Sequence, residues 1–104
     1  MIFRRGRFGD VISRQLDVFQ RDETDLIAEC REKEDAYNRT DRDDAEEAYG
    51  DYMDVVEAAT EALADMRDRF ARTLDEPTAE RYEDEFNRAV RRRWPAFDLE
   101  IENR

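Results

Sequence analysis

Tyr37-Asn38-Arg39-Thr40-Asp41-Arg42-Asp43-Asp44-Ala45 contains neither Gly nor Pro, yet the apolar register breaks inside it. Upstream, Ile12, Leu16, Phe19, Leu26, Cys30 and Tyr37 follow alternating four- and three-residue steps, with Glu23 and Lys33 filling the gaps. Apolar residues at that spacing line one side of a helix. Carried past Tyr37, the same stripe selects Thr40, Asp44 and Glu47, all polar. The apolar series resumes instead at Ala45, Tyr49, Tyr52, Val56, Ala59, Leu63, Met66 and Phe70. One unbroken helix does not turn both stripes toward one core, so a turn is expected at 38–41. Thr40 or Asp41 supplies the next N-cap, and Asp43 and Asp44 suit the positive end of a helix dipole.

Residues 1–9 form a basic lead-in with Gly6 and Gly9, and Asp10 is the expected N-cap of the first helix. Asp75-Glu76-Pro77 marks a second turn, because proline is tolerated in the first turn of a helix and not in its interior. Ala79, Tyr82, Phe86, Ala89, Val90 and Trp94 then make a third stripe that ends at Pro95. Beyond it Phe97, Leu99 and Ile101 alternate with Asp98, Glu100 and Glu102, an extended pattern. The expected fold is a single all-α domain, an up-down-up antiparallel helical bundle. Helices at 10–38 and 41–74 make a long hairpin, a shorter third helix lies at 77–94, and residues 95–104 are an extended tail. Gly50 falls inside the second helix, where a close helix approach is the expected reason for it.

Composition narrows the function. The chain of 104 residues carries a formal net charge of −11, with 45% charged residues. Such acidity disfavours nucleic acid, whose binders neutralise phosphates with a basic face. The basic clusters are Arg4, Arg5 and Arg7 near the start and Arg91-Arg92-Arg93 near the end. With Cys30 the single cysteine, no intrachain disulfide forms. No apolar run is long enough for a membrane span or a signal peptide, so a cytoplasmic protein is expected.

The chain has no His, which removes the commonest general base and metal ligand. No phosphate-binding glycine loop and no nucleophile elbow is present. Carboxylates are left as the one catalytic possibility. All-α nucleotide pyrophosphohydrolases hold Mg²⁺ with acidic residues on neighbouring helices. Glu46-Glu47 followed by Asp51 comes nearest to such a set, with its spacing off by one. A non-enzymatic interaction or scaffold protein without a cofactor is therefore the leading expectation, and a Mg²⁺-dependent hydrolase of that kind is the alternative.

Two places draw attention. Glu23 sits on the core stripe, and a buried carboxylate needs a partner; the end of the third helix should bring Arg92 or Arg93 to it as a structural ion pair. The third helix is also only about half as long as the other two. It leaves the far end of the hairpin, around Leu26, Cys30, Tyr37, Tyr49 and Tyr52, without a third layer. That end is the expected partner interface, with a homodimer as the expected assembly and another protein as the further possibility.

Overall fold

The computed structural model describes residues 7–97, and among them every regular element is helical. Helix α1 covers Gly9–Asp22, α2 Thr24–Arg39, α3 Ala45–Ala71 and α4 Glu76–Arg93, with one turn of 3-10 helix at Arg42–Asp44.

The helix expected over 10–38 is interrupted at Glu23, whose backbone leaves helical geometry at φ −113° and ψ 34°. Thr24 supplies the cause. Its hydroxyl donates to the carbonyls of Gln20 at 2.8 Å and Arg21 at 3.1 Å, competing for acceptors the ladder would use. The helical bonds resume on either side, from Glu23 N–H to Phe19 O and from Ile27 N–H to Glu23 O. The interruption changes which side chain is buried just beyond it, while Cys30 keeps its place on the stripe. Ile27 is buried where the periodic stripe selects Leu26, which is half-buried.

The start of α1 also differs. Phe8, not Asp10, occupies the N-cap position and offers no side-chain acceptor. The carboxylate of Glu85 in α4 takes that role, accepting the Arg7 and Phe8 N–H groups at 3.1 and 3.0 Å. An anion at a helix N-terminus satisfies unpaired donors and the dipole together.

The two turns lie where the register break and Pro77 place them. Asp41 Oδ1 accepts the Asp44 N–H at 3.3 Å, and Asp75 Oδ1 accepts the Thr78 N–H at 3.0 Å. The Thr78 side chain first, and then that backbone bond, hold the Asp75 carboxyl below its ordinary pKa. Gly50 has no heavy atom within 4 Å of the place where a Cβ would stand, so no close approach explains it.

α2 packs along α3, α3 along α4, and α4 along α1. Cys30 meets Val55 and Tyr37 meets Tyr49, so α2 and α3 run antiparallel. Phe70 meets Tyr82 and Arg67 meets Asn87, which makes α4 antiparallel to α3. Phe8 meets Tyr82 and Phe19 meets Trp94, so α1 and α4 run the same way. The core joins Ile12, Leu16 and Phe19 to Ala59, Leu63, Tyr82, Phe86 and Val90. At the end of α4, Pro95 and Ala96 form a turn closed by the Phe97 N–H donating to Trp94 O at 2.9 Å. Phe97 is 2% exposed beside the Trp94 ring, folded back and not extended. Leu99 and Ile101, on which the extended tail was expected, lie outside the described residues.

Candidate functional site at the hairpin tip

α3 has 27 residues and α4 has 18. At about 1.5 Å per residue α4 falls roughly 13 Å short of spanning its partner. The shortfall is at the start of α3, where, among the described residues, α2 and α3 continue without a third helix to the turn at Thr40 and Asp41.

The aromatic residues of the expected interface converge there. The Tyr37 ring lies 5.4 Å from Tyr49 and 6.3 Å from Tyr52, stacked on the latter at an interplanar angle of 15°. Tyr37 and Tyr52 shelter each other and are half-buried. Tyr49 is 47% exposed and, with Val18, is one of the two exposed large hydrophobic side chains among the described residues. The tip is thus a small tyrosine platform with one open ring. Leu26 is half-buried lower in the hairpin, and Cys30 is buried.

The electrostatics around this platform are acidic. Tyr52 is raised above its ordinary pKa by burial and then by the neighbouring Glu34 carboxylate. The Cys30 thiol donates to Val55 O at 3.5 Å. Burial, followed by the charges of Glu29 and Glu34, pushes that thiol up, so it stays protonated and a poor nucleophile. The connecting segment carries Asp41, Asp43, Asp44, Glu46 and Glu47 against Arg42 alone, all of them exposed. Among the described residues no group of three or more Cys, Asp or Glu is placed to hold a metal ion.

The expected ion pair of Glu23 takes a different form. Arg93 donates to Asp17 Oδ1 at 2.8 Å and to Gln20 Oε1 at 3.3 Å, and no ion pair joins Glu23 to Arg92 or Arg93 among the described residues. The end of α4 runs beside α1 before the kink, so it is level with Asp17 and Gln20. Glu23 sits at the kink itself, half-buried. Arg93 also covers the Trp94 ring at 5.5 Å. Arg88, Arg91 and Arg92 are exposed, and no ion pair engages them among the described residues.

A second polar constellation lies in the core and has little signature in the sequence. Arg67 is 1% exposed. Its Nε donates to Asp68 Oδ1 at 2.9 Å and its Nη1 to Asn87 Oδ1 at 3.1 Å. Nearby, the Tyr82 hydroxyl donates to Gln15 Oε1 at 2.9 Å. Glu83 is raised above its ordinary pKa by desolvation, a shift that the Arg67 charge opposes. Every buried side-chain polar atom among the described residues is partnered, so this network is closed and offers no vacant donor to a ligand. The signal available was one arginine at the i+4 position from Leu63, next to Met66.

Among the described residues no helix is long and apolar enough to cross a membrane. No family model matches the sequence, and comparison with curated proteins and with solved structures returns no match.

Proposed function

We propose that this chain is a non-enzymatic protein-interaction or scaffold protein, built as an up-down-up bundle and acting in the cytoplasm. Its contact surface is the tip of the α2–α3 hairpin, and its first partner is a second copy of itself. The observation that carries this reading is the exposed Tyr49 ring on the Tyr37–Tyr52 stack, at the end of the hairpin that α4 leaves uncovered. Tyrosine suits such a surface because its ring is apolar while its hydroxyl tolerates water. A second copy laid against the uncovered stretch completes a four-helix layer about a two-fold axis, the commonest symmetry for small oligomers.

Sedimentation of the intact chain and of a chain ending at Phe97 tests the reading. Both should dimerise, and Tyr49→Ser should weaken the dimer without loss of helicity. A monomer that loses stability when residues 98–104 are removed would assign the cover of the tip to the tail. Calorimetry with Mg²⁺, paired with a nucleotide hydrolysis screen, should give no coupled binding and turnover; a positive result would replace the interaction reading with the hydrolase one.

A further inference from the structure

The two ends of the uncovered stretch carry opposite charge. At its outer end lie Asp41, Asp43, Asp44, Glu46 and Glu47, all exposed. At its inner end α4 terminates in Arg88, Arg91 and Arg92, also exposed and without an ion pair among the described residues. Arg93 is already committed to Asp17. Two copies that met tip to tip would press one acidic turn against another, and juxtaposed like charges disfavour an interface.

An antiparallel arrangement removes the conflict. When two uncovered hairpin ends lie side by side, pointing in opposite directions, each tip comes level with the point where the other copy's α4 stops. Once the tip of one copy is level with the end of the other's α4, the two-fold axis makes the second contact identical to the first, so one register satisfies both. We propose that the protein pairs with a second copy in this sense: the acidic turn 41–47 of each copy meets Arg88, Arg91 and Arg92 of the other, and the tyrosine platforms lie in between. The pairing is isologous, because the acidic patch of the first copy meets the basic patch of the second and the reverse holds at the other end. The proposal rests on the self-association reading above and specifies its orientation and recognition chemistry.

Charge reversal gives a test with a distinctive signature. Arg91→Glu with Arg92→Glu makes both ends of one variant acidic. Asp43→Arg with Glu46→Arg and Glu47→Arg makes both ends of the other variant basic. Each alone should be monomeric where the native chain is dimeric, with affinity weakened at least about ten-fold. Mixed in equal amounts they should form a one-to-one heterodimer, since every contact is then between opposite charges. Circular dichroism confirms that each variant is folded, and Arg91→Gln with Arg92→Gln provides a milder version that should weaken the dimer without repulsion. Added salt should weaken the native dimer, because exposed attractions are screened. A native dimer that both charge-reversed variants retain, or that salt strengthens, would overturn the orientation and leave self-association standing. A native chain that is monomeric throughout would overturn both.

Discussion

Arg67 is the residue on which the core is most sensitive. A guanidinium that is 1% exposed is held by Asn87, which is buried, and by Asp68, which is 38% exposed and reaches water. Arg67→Met should therefore cost roughly 1–3 kcal/mol, the range for leaving a buried polar group, the Asn87 amide, without its partner. Adding Asn87→Leu should recover much of that loss, because an apolar replacement of both partners leaves nothing unpaired. Urea unfolding of the two variants measures the difference; equal stability of single and double variants would show that the network is not coupled. Tyr82 makes a second residue-scale case. Burial pushes its hydroxyl up to about 12 from an ordinary value near 10, opposed in part by the bond to Gln15. A raised pKa in the folded state means stability is complete below about pH 10 and is lost as pH climbs toward 12, by something on the order of 2–3 kcal/mol. Tyr52 and the Cys30 thiol are also raised by burial and titrate on the alkaline side, so the comparison with Tyr82→Phe isolates the Tyr82 share. Tyr82→Phe should flatten the decline in an alkaline denaturation series. Of these features the sequence displays Tyr82, which falls on a helical stripe. It hides the Arg67–Asn87 contact, because a polar residue next to an apolar stripe reads as solvent-facing until a partner on another helix is known.

At the scale of elements, turns are legible when a side chain caps them and obscure when the fault lies inside a helix. Asp41 and Asp75 each accept an N–H three residues on, and both turns follow from register and cap chemistry. The break at Glu23 follows from the Thr24 hydroxyl, and threonine sits in many helices without breaking them. The start of α1 depends on Glu85, 77 residues away from Phe8, so no local pattern announces it. Glu85→Gln should fray that start, visible as faster amide exchange at Arg7 and Phe8 with the rest of the chain unchanged. Gly50 bears the opposite expectation. Its missing side chain would meet open space on an exposed face of α3. Gly50→Ala should raise stability by about 0.5–1 kcal/mol through helix propensity and lower unfolded-chain entropy, read as a higher melting temperature. A loss of stability would mean that something occupies that face in solution.

At the scale of the whole molecule, unequal helix lengths decide what is left exposed. The lengths are readable from the spacing of the stripes, and so is the uncovered end of the hairpin. The degree of exposure is not, because Tyr37, Tyr49 and Tyr52 pack on one another and leave one open ring. Nor does the sequence show that Arg93 is spent on Asp17 while Arg91 and Arg92 remain available, since that follows from the path of α4 beside α1. A small apolar platform between an acidic turn and a basic helix end points to association that is specific in orientation and sensitive to salt. Sedimentation equilibrium of the intact chain, from about 1 to 100 μM at low and high salt, tests this most directly. A reversible dimer that weakens as salt rises is the expected result; a monomer at every concentration and both salt levels would contradict it.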